Sequence, residues 1–212
     1  MMSSFIAGIV AQLRTLGHPR IELPRVGLTL LPPWGYAVCR KGKRCENRAP
    51  SVAGRLRDWR GVVALTHSAN WNKGDYDDAV DDLLLRGLFE QSDVAACAAW
   101  SEQMVGKVFA AAELIDVHPN GDGPSNDWAV PGEHGLWLGG VIEVEPVPCT
   151  GGRGVFRFGA CMHCGRPSAH ERGKLIECRK CNKQTPFDKI TRPTVGVRQV
   201  WGGDGNLLAV SV

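Results

Sequence analysis

The sequence predicts an α+β fold, in which a small mixed β-barrel with flanking helices is followed by a compact cysteine-rich module. Short apolar runs rich in β-branched residues are interspersed with helical patterns, without the strict alternation of parallel α/β proteins. Two closely spaced cysteine pairs mark the last third of the chain. With 212 residues, the chain is long enough for one sizeable domain and an appendage, and short of two full domains.

The individual elements follow in chain order. The spacing of apolar residues predicts helices over 3–16, from 32 to about 41, within 72–91 and near 93–103. Strands are predicted in "RCENRA", "RGVVALTH", "GKVFAAAELIDV" and "GLWLGGVIEVEPV". The glycine-rich "TGGRG" has the composition of a hinge. We therefore expect an N-terminal helix and extension over 1–24, a barrel domain over 25–150, and a cysteine-rich module with C-terminal strands over 151–212.

The composition is that of a globular protein, with 43% hydrophobic and 22% charged residues. No segment approaches the roughly 20 apolar residues that span a bilayer. The N-terminal apolar run lacks the leading positive charge and cleavage site of a signal peptide, so it is interpreted as an amphipathic helix. These features predict a cytoplasmic protein with no membrane partner, whose eight cysteines are thiols or metal ligands rather than disulfides.

Charge is strongly segregated along the chain. Residues 1–60 have a net charge of +8, residues 61–150 of −12 and residues 151–212 of +7. This pattern predicts a basic face formed by the two ends and an acidic body between them. A basic face favours phosphate-bearing partners, here RNA or DNA, through counterion release. The alternative is that these cations only keep the protein soluble.

The strongest motif consists of "CMHC" at 161–164 and "CRKC" at 178–181, separated by 13 residues. Two residues between thiolates let both sulfurs approach one tetrahedral ion, so Cys161, Cys164, Cys178 and Cys181 are the expected ligands of a structural Zn²⁺. The flanks "RGVFRFGA", "GKLIE" and "TVGVRQVW" are predicted as the strands of a zinc ribbon. Iron in a rubredoxin-type site uses similar knuckles and remains an alternative. His163 and His170 are expected outside the ligand set.

A second motif, "KGKRCENR" at 41–48, places four cations around one carboxylate. On an extended segment Glu46 and Arg48 point to the same face, and Lys43 can reach that face from the preceding turn. The trio could read a base and clamp a phosphate, because a carboxylate accepts from an exocyclic amine and a guanidinium binds phosphate. It could also carry out acid–base chemistry. Alternatively, it forms ion pairs that tie helix to strand.

Three blocks in order, "LTLLPPWGYAVCRKGKRCENR", "RGVVALTHSA" and "GLWLGGVIEVEPVPC", resemble the ASCH domain of the PUA-like superfamily, which is related to the YTH and EVE branches. The residues that match the family motif are Trp34, Lys43, Glu46, Asn47, Arg48, Arg60–Gly61, His67 and the run Gly135 to Cys149. The motif glycine is displaced to Gly42, and His67 is followed by Ser68 instead of alanine. The resemblance covers about residues 27–150.

This resemblance implies a partly open PUA-like β-barrel with a cleft suited to RNA or a nucleobase. YTH and EVE domains read modified bases with aromatic cages. Within ASCH, one subgroup is an amidohydrolase acting on N4-acetylcytidine, and ribonuclease activity is reported for another. The hydrolase subgroup has Lys-x-x-Thr where this chain has Lys43-x-x-Glu46.

Two classes of function follow, and a third is less specific. The first is a module that binds a nucleic acid, nucleotide or modified base. Its candidate binding residues are Trp34, Lys43, Glu46, Asn47, Arg48, His67, Trp128 and Trp137. The second is a small hydrolase acting on a modified nucleoside or RNA, with Lys43 and Glu46 as the catalytic acid–base pair. The third is a protein–protein adaptor whose ribbon docks a partner. The three tryptophans are alternatively core residues, and His67 is alternatively structural.

Overall fold

The computed structural model of this protein describes residues 4–16, 19–53, 56–118, 126–149, 155–157, 159–164, 167–168, 171–172, 175–178, 181–186 and 191–210. The helices are α1 (Ser4–Leu16), α2 (Trp34–Arg40), α3 (Pro50–Ala53), α4 (Lys73–Leu85) and α5 (Gln91–Met104). The longer strands are β2 (Val26–Leu30), β3 (Cys45–Arg48), β4 (Gly61–His67), β5 (Lys107–His118), β6 (His134–Pro148) and β13 (Thr194–Gly202). The shorter strands are β1 (Arg20–Glu22), β7 (Val155–Arg157), β8 (Gly159–Ala160), β9 (Pro167–Ser168), β10 (Glu171–Arg172), β11 (Leu175–Glu177), β12 (Gln184–Pro186) and β14 (Leu207–Val210). The α+β class and the predicted helices and main strands are confirmed.

The centre of the molecule is a large, mostly antiparallel open sheet with the strand order β1–β13–β6–β5–β4–β2–β7. Its organising strand is the 15-residue β6, which pairs with β5 along most of its length. On the other side of β6, β3 pairs with the first part, from His134 to Trp137, and β13 with the second, from Gly140 to Val144. The short strand β3 therefore projects into the space beside the start of β6. Within this sheet β2 and β4 run parallel.

Two apolar clusters cover the two faces of this sheet. Alternation along β4 sends Val63 and Leu65 into the cluster under α2, α4 and α5, and Ala64 into the opposite one under α1. The apolar side of α1, including Ile6 and Ile9, packs onto that second cluster. Among the described residues, no helix combines the length and apolar character needed to cross a membrane.

Polar contacts fix α2 above the sheet. The guanidinium of Arg40, at the end of α2, donates to both carboxylate oxygens of Glu143 on β6 at 2.5 and 2.9 Å. This hydrogen-bonded pairing raises the pKa of Arg40, and Glu143 is buried. Next to it, Asp93 in the first turn of α5 accepts from Lys41 at 2.8 Å and from the Tyr36 hydroxyl at 3.2 Å. The end of α2, and with it the start of the following turn, is thus held from two directions.

The C-terminal hairpin β13–β14 packs against the turn that precedes β3. Gly42 and Gly205 both have positive φ angles, +70° and +84°. A Cβ added at Gly205 would lie 2.8 Å from the Cα of Gly42, so the two backbones meet at a distance that only glycine permits. Nearby, the buried guanidinium of Arg44 donates to the carbonyls of Gly202 and Val38 at 2.8 Å each. The hairpin therefore helps to position the segment that carries Lys43.

The cysteine module is inserted between two strands of the main sheet. The segment "RGVFRFGA" contains β7, which pairs with β2, and β8, which pairs with β9 inside the module; the strand in "TVGVRQVW", β13, lies between β1 and β6. Both β7 and β13 fall in segments predicted as ribbon strands, and the placement of β13 in the main sheet has a physical reason. Val195, Val197 and Val200 of β13 are buried in the α1 cluster, an apolar surface that a small ribbon could not cover. The strand in "GKLIE", β11, lies in the small sheet β10–β11–β12 of the module. An isolated β-bridge between Ala160 and Thr191 joins the two ends of the inserted module.

The contact between Gly42 and Gly205 gives a stability prediction with a matched control. Gly132 has nearly the same φ as Gly205, +83° against +84°, but open space around its added Cβ. Alanine at either site carries the left-handed strain of about 1–2 kcal/mol, and only Gly205→Ala adds a backbone clash. We expect Gly205→Ala to lower the free energy of unfolding by about 1–3 kcal/mol more than Gly132→Ala in urea denaturation. Equal losses would contradict the packing of the hairpin on the turn.

Candidate functional site: a cleft above buried charges and a four-cysteine cluster

The strand β3 places Glu46 between two cations. Lys43 Nζ lies 2.6 Å from Glu46 Oε2, and Arg48 Nη2 lies 2.8 Å from Glu46 Oε1. Lys43 Nζ also donates to the carbonyl of Cys45, and Arg48 Nη2 donates to the carbonyl of Thr29 on β2 at 2.5 Å. The three side chains, named here the ion triad, therefore connect the turn after α2 with β3 and β2.

Two members of the triad are almost completely removed from solvent, and the third, Arg48, has a side chain that is 17% exposed. The relative exposure of Lys43 is 1% and that of Glu46 is 4%. Burial alone would raise the pKa of the Glu46 carboxyl, but the charges and hydrogen bonds of Lys43 and Arg48 outweigh it, so the pKa is lowered. Glu46 is therefore ionised at neutral pH, with each carboxylate oxygen bound to a cation. Removing one partner from such a group is costly, because it leaves a buried charge unpaired.

Above the triad lies a cavity of about 270 Å³. Its lining consists of Leu31, Trp34, Lys43, Glu46, Asn47, Arg48, Val130 and Glu133. The half-buried indole of Trp34 forms one wall, and Lys43 Nζ lies 5.5 Å from its ring centroid. An ammonium has three donors and a guanidinium five. Lys43 has two described acceptors, and the buried Nε of Arg48 has no partner among the described residues, so both cations retain donor capacity.

Asn47 shapes the opposite lip of the cavity. Its side-chain amide donates to the carbonyl of Trp128 at 2.7 Å, and its oxygen accepts from the amide of Val130 at 3.0 Å. Asn47 therefore fastens the segment that carries Val130 and Glu133 over the cleft. Glu133 and Val130 escaped the sequence analysis, because no spacing motif marks them and only the pairing of β3 with β6 brings them near. Leu31, which follows β2 and accepts from the amide of Trp34, also carries no motif.

The structure brings five of the eight predicted binding residues into this cleft and places three elsewhere. His67 is 1% exposed, packs on Trp100 and Phe109, and has its pKa lowered by burial, against the raising effect of a hydrogen bond with the Ser68 carbonyl. Trp128 is buried in the core and does not line the cavity, which it approaches only through the bond of its carbonyl to Asn47. Trp137 pairs with Cys45, so it lies on the face of β3 and β6 opposite to Glu46.

The cations of the 41–48 cluster are largely consumed by internal contacts. Lys41 is paired with Asp93, and Lys43 and Arg48 share Glu46. Arg44 is 3% exposed and bonded to carbonyls, and burial lowers its pKa to about 10. This differs from the expectation that these residues present their charges to phosphates. Pairing with carboxylates and carbonyls explains how so many cations are tolerated in the interior.

The second candidate site is formed by Cys161, Cys164, Cys178 and Cys181, whose sulfurs lie within 4.8 Å of one another. The Sγ atoms of Cys161 and Cys181 are 3.7 Å apart, and those of Cys164 and Cys178 are 3.5 Å apart. Four thiolates at about 2.3 Å from a central ion would be separated by about 3.8 Å in a tetrahedron. The donor set and its spacing thus fit one tetrahedral metal ion.

The surroundings of the Cys161 sulfur favour a thiolate, whereas hydrogen bonds to the neighbouring cysteines help to raise the pKa of Cys181 to about 11. Burial raises the pKa of Cys161, but hydrogen bonds from the amides of His163 and Cys164 and from the Thr185 hydroxyl outweigh it and lower the pKa. Asn182, the residue directly after the second cysteine pair, has a φ of +52°, in the left-handed region that asparagine adopts more readily than most residues. Gly165, its counterpart in the first knuckle, and His170 lie outside the described residues. His163 is exposed.

Comparison with known proteins adds no further assignment. No protein-family model matches the sequence, and no curated protein matches it significantly.

Metal content can be tested against a matched cysteine variant. We expect the purified protein to hold about one metal ion per chain, and Cys181→Ala to lose nearly all of it. Cys97→Ala, which removes a buried thiol far from the cluster in sequence, should keep the full amount. Inductively coupled plasma mass spectrometry measures both the amount and the element. A metal content in Cys181→Ala equal to that of Cys97→Ala would contradict the four-cysteine site.

Proposed function

We propose that this protein is an ASCH-like, PUA-related binding module whose cleft above the ion triad takes a single nucleobase of RNA, DNA or a free nucleotide. The observation that carries the proposal is the convergence of Trp34, Lys43, Glu46 and Arg48 on one cavity. These residues were selected from the sequence by their resemblance to a family motif. The cavity is at the small end of ligand-site volumes, which suits one ring system better than a large ligand.

The chemistry of the lining supports a base with an acceptor edge. An indole face offers a stacking surface to any base. Arg48, whose side chain is 17% exposed, has donor capacity beyond its bond to Glu46, and the carbonyl oxygens and N7 of bases are its natural acceptors. Lys43 is 1% exposed, so it mainly fixes the position of Glu46. In this arrangement Glu46 holds the two cations in position, and the half-buried Glu133 supplies an acceptor at the rim.

Binding is a better match to this geometry than hydrolysis. An acid–base role for Lys43 and Glu46 requires the carboxylate to accept a proton during the reaction. The lowered pKa of Glu46 and the occupation of both its oxygens by cations oppose that step. The pairing instead gives a fixed array of donors, which is the requirement of a recognition site.

We further propose that the four-cysteine cluster binds Zn²⁺ as a structural ion. Four thiolates leave no open position for a substrate or water, so the ion would contribute folding free energy rather than chemistry. Because the inserted module joins β7 to β13, a bound ion would also stabilise the two sheet strands from which it emerges.

The test of the binding proposal is a titration of the four ribonucleosides, their 5′-monophosphates and short single-stranded RNA and DNA. Tryptophan fluorescence follows binding, and chromatography of the same samples detects any product. We expect saturable binding with intact ligand, favouring bases that carry a carbonyl edge. Arg48→Met removes a donor from the cleft, and we expect it to weaken binding about tenfold or more, as the loss of one charge-assisted hydrogen bond.

The matched control is Lys107→Met, which removes one positive charge outside the cavity lining. An equal loss of affinity in both variants would show that only net charge matters and would reject the cleft. Altered product that depends on Lys43 would establish the hydrolase instead. Absence of binding by every ligand in the panel would reject the proposed function.

A further inference from the structure

A second and larger cavity, of about 810 Å³, adjoins the first. Leu31 and Trp34 line both cavities, so the Trp34 indole stands between them. Apart from Pro32, the remainder of the second lining comes from the loop after β4 and the first turns of α4, within residues 69–79. Nothing derived above assigns a role to this cavity.

Three aromatic residues line this cavity, beside apolar side chains, two asparagines and one aspartate. Trp71 and Tyr76 contact each other with ring centroids 5.1 Å apart, and Trp34 closes another side. Trp71 is 36% exposed and Leu31 is 45% exposed, although large apolar side chains gain by burial. The Trp71 indole therefore offers an exposed π-face to an incoming group, and the half-buried Trp34 indole offers a second, whereas Tyr76 is 8% exposed and packs behind Trp71.

The charge in this cavity has one sign. Asp75 lines it, and among the described residues of the lining none is a lysine, an arginine or a histidine. Asp75 has no ion-pair partner among the described residues, whereas Asp77 on the same helix is paired with Lys73 at 2.6 Å. Exposed Asp78 and Asp81 continue the acidic surface along α4.

We propose that this second cavity binds the cationic head of a small organic molecule, an alkylated ammonium group. Aromatic faces attract such a cation through their quadrupoles, and Asp75 supplies the compensating charge at the rim. A phosphate-bearing strand is disfavoured there, because the lining offers it no cation and the neighbouring helix is acidic. The inference stands independently of the proposed base site.

The experiment compares choline with 3,3-dimethylbutan-1-ol, which has the same shape without the charge. Proton–nitrogen correlation spectra of the full chain follow the indole N–H signals, with the Trp71 signal identified by its absence in Trp71→Phe. We expect choline to shift the Trp71 signal saturably and the neutral alcohol to bind at least about tenfold more weakly. Asp75→Asn should weaken choline binding by about two- to fivefold, as expected for an exposed charge.

Two control variants separate the outcomes. Asp78→Asn makes the same charge change on the same helix outside the lining and should leave choline binding unchanged. Arg48 lines only the first cavity, so Arg48→Met should weaken base binding and leave choline binding intact. Equal affinity for choline and the alcohol would show a merely apolar pocket and overturn the proposal. Failure of choline to shift the Trp71 signal would overturn it as well, whatever the result for nucleosides.

Discussion

The burial of one carboxylate between two cations constrains much of this structure. Glu46 would be expelled from a position that is 4% exposed unless both of its oxygens were paired, and Lys43 and Arg48 supply the pairs. Each cation is in turn bonded to a backbone carbonyl, of Cys45 and Thr29 respectively. The triad can form only when the turn after α2, β3 and β2 are all in place. The shape of the cavity above it depends on the same condition.

This arrangement changes how the positive charge of the N-terminal segment is interpreted. A sequence with a net charge of +8 in its first 60 residues suggests an electrostatic surface, yet cations at 40, 41, 43 and 48 are paired with buried or half-buried carboxylates. Such pairs fix the positions of the side chains but attract a distant anion only weakly, because the two opposite charges cancel at short range. Recognition in the first cleft would therefore rest on stacking and directed donors, with long-range steering left to other parts of the molecule.

Local patterns in the sequence were sufficient to predict the helices, the main strands and the four clustered cysteines. The apolar periodicity of α4, whose Tyr76, Val80 and Leu83 are buried, and the β-branched run of β4 are decided by residues close in sequence. The pairing of β13 with β6 joins residues more than 50 positions apart, so no local signal separates a ribbon strand from a sheet strand. The same limit explains why Trp128 and Trp137 were candidates for the cleft. An indole side chain is suited to stacking on a base, but the register of β3 and β6 places Trp137 on the other face of the sheet.

The most direct test of the ion triad is the free energy of unfolding of Glu46→Gln as a function of pH, measured by urea denaturation. Because the folded pKa of Glu46 is lowered, its stabilisation is fully present above the unfolded carboxyl pKa of about 4.3 and is lost as the pH falls below it. We predict that Glu46→Gln unfolds with a free energy about 3–5 kcal/mol lower than that of the wild type at pH 7. This difference becomes smaller as the pH falls below the unfolded carboxyl pKa. Glu133→Gln, which changes a half-buried carboxyl in the same cavity, serves as the control. A loss at pH 7 no larger than that of Glu133→Gln, or one that is independent of pH, would contradict the central role of the triad.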